Sequence, residues 1–433
     1  MSRPREDAVT DLSARLLDPK LLPPERLTLL RQVAAQAAAS GASAYIVGGF
    51  VRDLLLGRRV SDFDIVIEGD AIRFADVLVN ALGGTAARHA KFRTATWHLA
   101  NSRVGDRDLK FIDLITARTE SYSVPGALPT IEPATIDDDL RRRDFSINAL
   151  AMRLDGEHFG SLLDPLKGLQ DLGRGVVRVL HARSFLDDPT RMLRAVRYAA
   201  RYGFALGDET RQLINPESRS TLSKLSGERV RREFDLIFEE EYAAEILARL
   251  GEFDLFTPLH PKLSAANHQL PTITEPPSEW GEFKTADILS LRQALGWALW
   301  LSSLDASEIE SIAERLAFPL ALKETATAGA TLRSEAAALQ SKKPSELTFQ
   351  LDRLPAAAVY AVYLQTQLQP LKDYLVRWRH IKPRTAGDDL KARGLPPGPE
   401  YQRILSRLRA ARLDGEITSD QQETKMLEEL LAE

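Results

Sequence analysis

Two glycines between a strand-like run and a helix-like run, with two aspartates on a second strand soon after, constrain this chain more than any other feature. Ala44–Val47 is a short apolar run, Gly48-Gly49 follows, and a helical pattern then extends to Gly57. Paired glycines let backbone N–H groups come close to a phosphate, the helix start favours anions, and Arg52 adds positive charge. Taken alone, Gly-Gly before a helix also reads as a tight turn. In Ser61-Asp-Phe-Asp-Ile-Val-Ile67, the run Phe63–Glu68 is expected to be a strand. Asp62 and Asp64 are two apart, so both side chains leave the same face. Two hard oxygen ligands side by side suit Mg²⁺, which binds through one or two carboxylates plus substrate phosphates. Asp113, in the strand candidate Lys110–Thr116, supplies a third. Three carboxylates can hold two metals, one activating an attacking hydroxyl and one steadying a leaving pyrophosphate. An isolated Asp-x-Asp is short and common on exposed strand faces; the ordered series strand, Gly-Gly, helix, turn, Asp-x-Asp is far more specific.

The 433 residues suffice for two to four compact units, and the sequence contains no cysteine, which excludes disulfides, thiolate zinc sites and cysteine nucleophiles. No apolar run reaches the length of a membrane span and the start, MSRPREDAVT, lacks a signal-peptide core, so the expected location is cytoplasmic. The net charge of −4 argues against indiscriminate adhesion to nucleic acid, yet arginines cluster at 141–143, 191–201 and 377–384. The pattern predicts an α+β protein: a small mixed β-sheet head followed by an all-α neck, body and tail. Residues 1–23 are expected to be a loose arm, 24–150 the head, 151–240 the neck, 241–340 the body and 341–433 the tail. Leu27, Leu29, Leu30, Val33 and Ala34 have helix spacing, and Ala95–Ala100 is a further strand candidate. Residues 119–136 read as a loop, 141–148 as a helix start, and everything after Asp139 as almost wholly helical. The Pro-rich stretch 261–285 reads as a surface insertion or linker.

The stretch Asp187-Asp-Pro-Thr-Arg-Met-Leu-Arg-Ala-Val-Arg-Tyr-Ala-Ala-Arg201 carries the most chemical information. Pro189 suits a first helical turn, and Asp188 and Arg191 are three apart. One reading is an ion pair on a solvated helix. Another explains more. Cytosine and adenine both present an exocyclic amino donor beside a ring-nitrogen acceptor. A carboxylate that accepts from the first and a guanidinium that donates to the second fit both bases. Uracil and guanine reverse the pattern and leave the carboxylate facing a carbonyl oxygen. Arg194 and Arg197 are candidates for triphosphate contacts, since guanidinium forks match phosphate oxygens.

Val47-Gly-Gly-Phe-Val-Arg-Asp53, Ser61-Asp-Phe-Asp-Ile65 and Leu140-Arg-Arg-Arg-Asp-Phe-Ser-Ile-Asn-Ala149 together resemble the class II tRNA nucleotidyltransferases, which include CCA-adding enzymes and bacterial poly(A) polymerases. The likeness covers most of residues 40–240. It implies a fold with a nucleotidyltransferase head, with Asp62 and Asp64 as metal ligands and Asp113 as a third catalytic carboxylate. It assigns nucleotide binding to Gly48, Gly49, Arg52, Arg143, Asp144, Asn148, Asp188, Arg191, Arg194 and Arg197, with Arg143, Asp144 and Asn148 at the ribose and triphosphate. The family's Glu-Asp-x-x-Arg motif appears with Asp187 in place of the Glu. The implied cofactor is Mg²⁺; the implied partners are CTP, ATP and the acceptor stem and 3′ end of tRNA, with no membrane and no oligomeric state specified.

The expected activity is untemplated addition of the 3′-terminal CCA to tRNA. The segment 118–137 lies where the family keeps a loop needed for adding A, which argues against CC-only addition. Tyr122 with Pro125–Pro129 resembles the A-adding branch, so A-only addition is the alternative, then poly(A) synthesis, which a basic C-terminus usually accompanies; this chain ends TKMLEELLAE. A non-catalytic RNA-binding module fits poorly with three retained carboxylates. Arg229, Arg231 and Arg232, then Tyr374–His380 and Lys391–Pro399, are candidate tRNA contacts, with Trp378 expected in a core.

Overall fold

A computed structural model describes residues 12–60, 63–102, 109–121, 129–266, 270–283 and 289–432. The chain divides into two compact units, one ending at Leu225 and one beginning at Ser226.

The first unit begins with α1 (Leu12–Leu16), α2 (Pro24–Ser40), β1 (Ser43–Val47), α3 (Gly49–Leu55), β2 (Asp64–Glu68) and α4 (Ala71–Leu82). There follow β3 (Gly83–His89), β4 (Thr94–Ser102), β5 (Phe111–Thr116), β6 (Arg118–Ser121), β7 (Thr130–Pro133) and α5 (Ile136–Arg141). After α5 come β8 (Ala151–Arg153), β9 (Leu162–Leu163), α6 (Gly168–Arg174), β10 (Val176–Val177), α7 (Ser184–Asp187), α8 (Thr190–Tyr202) and β11 (Ala205–Leu206). Seven strands form one sheet in the order β3-β4-β5-β2-β1-β8-β9. The β2–β5 pair is parallel, and the other pairs are antiparallel.

Helix α4 shows why the sheet folds as it does. Asp70 caps it by accepting from the Ile72 and Arg73 amides at 2.9 and 3.1 Å. Its Phe74, Ala75 and Leu78 fall at helix spacing, are buried, and pack on the β2–β5–β4–β3 half of the sheet. On the opposite face, Ile136 and Leu140 of α5 pack with Tyr45, Val47, Val66, Ala149 and Ala151. That cover is local. Along β5, Ile115 packs partly against the cluster, Asp113 is half-buried, and Phe111 is 50% exposed. The uncovered end of this face is where the carboxylates stand.

Several expectations need correction. Residues 12–22 are held rather than loose, for Leu12, Leu16 and Leu22 are buried and Arg15 Nη1 donates to the Leu54 carbonyl at 3.0 Å. The stretch 119–136 contains a two-stranded ribbon, β6 with β7, which polar residues on both sides had disguised. Residues 141–148 do not open a helix: α5 ends at Arg141, and only the short 3₁₀ turn Ser146–Asn148 follows. The region after Asp139 is not wholly helical, because β8 and β9 complete the edge of the sheet, beyond the boundary expected at 150. β3 was not foreseen, since Gly83-Gly-Thr-Ala-Ala-Arg-His89 has no apolar alternation.

The second unit is helical. Phe234, Phe238, Phe256, Trp297 and Trp300 stack into its core, and Trp297 Nε1 donates to the buried Asp235 at 2.7 Å. Gly296 touches the Phe238 ring so closely that a Cβ there would overlap it. The described part of 261–285 packs into this unit rather than linking units. Leu263 and Ile273 are buried there, and Trp280 meets the Tyr360 edge at 5.9 Å. Trp378 is a core residue, as expected. Near the C-terminus, Leu390, Ile404, Leu408 and Leu427 form a separate cluster. The buried Glu423 tethers it by accepting from Thr385 N and Oγ1, both at 2.8 Å.

Candidate active site

Strand register brings the carboxylates together. Asp64 and Asp113 are Cα partners across the parallel β2–β5 pair, and Thr96 of β4 is the partner of Asp113 on the other side. All three side chains therefore leave the same face of the sheet, on strands about 4.8 Å apart. Thr96 Oγ1 donates to Asp113 Oδ1 at 2.7 Å and fixes that carboxylate. Asp62 lies outside the described residues. The residues flanking it are pinned: Arg26 donates to the Val60 carbonyl at 3.1 Å, and the Phe63 ring meets Phe50 edge-on at 5.2 Å. Among the described residues no three acidic or histidine side chains gather at one point. The in-register Asp64 and Asp113 nonetheless offer hard oxygens on one open face, the donor type a small divalent cation takes.

The glycine turn is built for close approach. Gly48 has φ +65° and ψ −121°, a backbone conformation that requires glycine, and a Cβ there would also lie 2.9 Å from Arg143 Nη1. From this turn α3 carries Arg52 inward, not toward solvent. Its guanidinium is 3% exposed, forms a fork on Asp53 with two 3.0 Å bonds, and donates to Asn148 Oδ1. The Tyr202 and Tyr198 rings lie 4.7 and 5.3 Å from its centre. Tyr202 also donates to Asp53 at 3.0 Å. Burial opposes the Arg52 charge, but Tyr202 and Asp53 more than compensate and hold it firmly protonated.

Asn148 passes the chain of contacts to Asp144, donating to its Oδ1 at 2.9 Å, while the Phe145 amide donates to the same oxygen at 2.8 Å. Asp144 Oδ2 lies 2.6 Å from Arg194 Nη2. Burial alone would push the Asp144 carboxyl up; Arg194, the Asn148 amide and Arg191 outweigh it and hold the carboxyl below its ordinary range. Arg143 is anchored differently, on Asp139 at 3.0 Å. The fully buried Asp139 also takes Arg142 at 2.6 Å, and Arg142 in turn reaches Glu120 of β6 at 2.8 Å.

Helix α8 docks by one stripe on this segment. Arg191 donates to the Arg142 carbonyl and to Ser184 Oγ, both at 2.8 Å; Arg194 meets Asp144; Tyr198 meets the Phe145 edge at 5.8 Å; Tyr202 meets Asp53. Arg191 is 5% exposed, so the helix face is not solvated and the simple surface ion-pair reading fails. Asp188 Oδ1 accepts from Thr190 N at 3.1 Å and from Thr190 Oγ1 at 2.7 Å, which orients its carboxylate at the helix start. Arg197 is buried with its guanidinium 5.1 Å from the Tyr198 ring. The structure thus unites Gly48, Arg52, Arg143, Asp144, Asn148, Arg191 and Arg194 in one contiguous set of contacts. Sequence reasoning missed its supports: Thr96, Glu120 and Tyr202 act on partners distant in the chain, whereas Asp53 beside Arg52 and Asp139 three and four before Arg142 and Arg143 are local pairs that were overlooked. A further local signal was the i, i+4 spacing of Tyr198 and Tyr202 with the arginines.

Residues 44–178 match the poly A polymerase head domain, and residues 203–267 match the probable RNA and SrmB-binding site of polymerase A. An A-adding tRNA nucleotidyltransferase of Halalkalibacterium halodurans is 33% identical over 92% of this chain and 91% of its own length. An A-adding tRNA nucleotidyltransferase of Geobacter sulfurreducens is 33% identical over 94% of this chain, which spans about half, 47%, of that relative. A solved CCA-adding enzyme in complex with ATP shares 30% identity, covering 100% of this chain and 98% of its own, with a TM-score of 0.70. Among the described residues no helix is long and apolar enough to cross a membrane.

Proposed function

Since the chain belongs to the tRNA nucleotidyltransferase family, we propose that it extends the 3′ end of tRNA without a template, transferring a nucleotide from ATP, and from CTP where the C residues are missing. The observation that carries this reading is the in-register pair Asp64 and Asp113 on the open sheet face, with the turn Gly48-Gly49 at the end of β1, the strand beside β2. Asp62 and Asp64, with Asp113, would hold Mg²⁺, which when bound sharpens the attacking 3′ hydroxyl and neutralises the departing pyrophosphate. The protein's own groups do the rest. Gly48 and Gly49 admit the triphosphate, and Arg143, Arg194 and Arg197 supply charge around it. Asp144 and Asn148 face the ribose. Asp188, oriented by Thr190, accepts the amino hydrogen of adenine or cytosine, and Arg191, oriented by Ser184, donates to the ring nitrogen. In this reading Arg52 is a support for Asn148, since its own fork is filled by Asp53.

Addition of the terminal A is common to the A-adding and the CCA-adding reading, and the two relatives matched over nine-tenths of this chain bear the A-adding name. The CCA-adding reading is favoured by the end-to-end likeness to a CCA-adding enzyme. The helices beyond Ser226 would hold the body of the tRNA. A chain without cysteine suits a reducing compartment, and we assign it to the cytoplasm. Transcripts ending in the discriminator base, in C and in CC, each incubated with one labelled NTP, test the proposal. Extension of the CC end by a single A is expected in either reading, extension of all three ends marks CCA addition, and long tails mark a poly(A) polymerase. No incorporation at any end would sink the proposal.

A further inference from the structure

The face that carries Asp64 and Asp113 does not stop at the carboxylates. One pleat repeat away, about 7 Å along the strands, the Cα partners are His98 of β4 and Phe111 of β5. Side chains two apart on a strand share a face, so Thr96 with His98 and Asp113 with Phe111 project to the same side. Phe111 is 50% exposed and His98 is also exposed, with their ring centroids 6.4 Å apart and tilted at 59°. The intervening residues of β5 and β4, Ile112 and Trp97, are completely buried on the other face. A large aromatic ring is thus turned out to water on the strand that holds a candidate catalytic carboxylate, while the same strand buries its other face in the ordinary way.

We infer that Phe111, edged by His98, is the stacking platform for the 3′-terminal base of the RNA primer; this rests on the proposed nucleotidyl transfer. The primer's 3′ hydroxyl must reach Asp64 and Asp113, and the separation between a nucleotide's 3′ oxygen and its base is comparable with one pleat repeat. An aromatic face suits this position chemically. The terminal nucleotide differs from one tRNA to another and changes as the end grows, and stacking tolerates every base because each has a π face. Hydrogen bonds to base edges would restrict the primer instead. Selection then resides wholly at the incoming nucleotide, with Asp188 and Arg191, and the primer side is held by position.

The test uses the full chain and a tRNA transcript ending in CC, with a second transcript carrying 2-aminopurine as its last base. Stacking on Phe111 quenches 2-aminopurine emission on binding. The quench is expected to persist in Phe111→Trp and to vanish in Phe111→Ala and in Phe111→Leu, which keeps apolar bulk without a π face. In steady state, Phe111→Ala should raise KM for the RNA about tenfold, the scale of one base–aromatic stack, with KM for ATP within about twofold and recovery in Phe111→Trp. Quenching by Phe111→Ala equal to wild type, or a parallel rise in KM for ATP, would overturn the platform. The emission readout needs no turnover. A wild-type protein that quenches without transferring sinks the transferase reading alone; one that transfers without quenching sinks the platform alone.

Discussion

Arg194 Nη2 stands 2.6 Å from Asp144 Oδ2, joining helix α8 to the segment that follows α5. Asp144 is completely enclosed apart from a 6% residual exposure, and the Arg194 side chain is 31% exposed. The pair therefore joins the two elements largely out of water, where removing one charge strands the other.

Replacing Arg194 by Met is expected to cost about 1–3 kcal/mol at neutral pH, less than a fully buried pair because Arg194 retains some solvent. The pH dependence has a definite sign. In the wild type the Asp144 carboxyl is held below its ordinary range, so its stabilisation is complete above the unfolded value and lost as pH falls through the folded one. Without Arg194, burial raises that carboxyl instead, and the penalty is relieved once it protonates. Urea unfolding at pH 7 and pH 4.5 should show the gap between wild type and variant shrinking on acidification. A gap that widens toward pH 4.5 contradicts the assignment.

Arg52→Lys should behave as a severe change despite conserving charge. A single ammonium cannot reproduce the fork on Asp53, the bond to Asn148 and the contact with two tyrosine rings. A loss of about 2–4 kcal/mol in urea unfolding is expected, accompanied by a fall in nucleotide incorporation. Arg232→Ala is the control: that side chain is 75% exposed, and its removal should stay within about 0.5 kcal/mol.

Two glycine substitutions contrast a turn packed beside Arg143 with a helix end in open space. Gly48 and Gly203 have nearly the same φ, +65° and +67°, but only at Gly48 does a Cβ meet a neighbour, Arg143 Nη1 at 2.9 Å. Gly203→Ala should cost about 1 kcal/mol and leave KM for ATP unchanged. Gly48→Ala carries the greater strain, since ψ is −121° at Gly48 and +31° at Gly203, and it displaces the Arg143 tip as well, so KM for ATP should rise by about tenfold or more. Equal kinetic behaviour of the two variants would remove Arg143 from the account of triphosphate binding.

These residues also mark what a sequence discloses. Gly48-Gly49, Asp64 and α8 were legible because each lies in a strong local pattern: a turn between periodic runs, an acid at a strand start, arginines at helix spacing. β8 and β9 were not, since two or three residues carry no periodicity and their place on the sheet edge depends on pairing with β1. Arg52 looked like a free cation for phosphate because its neighbours in space, Asn148, Tyr198 and Tyr202, are far along the chain. Register across β4, β5 and β2 likewise turned Asp113 from a third acid into the partner of Asp64 and disclosed Thr96 beside it. Long-range pairing decided these roles, and local patterning does not encode it.

The proposed nucleotidyl transfer to tRNA rests on Asp64 and Asp113. The direct test is single-turnover incorporation of labelled ATP onto a transcript ending in CC, by wild type, Asp64→Ala and Asp113→Ala, with tRNA affinity measured in parallel. The expected result is one added A by the wild type, a fall on the order of a thousandfold in Asp64→Ala, a similar or smaller fall in Asp113→Ala, and dissociation constants for tRNA within about twofold of wild type. Incorporation by Asp64→Ala at a rate near that of the wild type would contradict it.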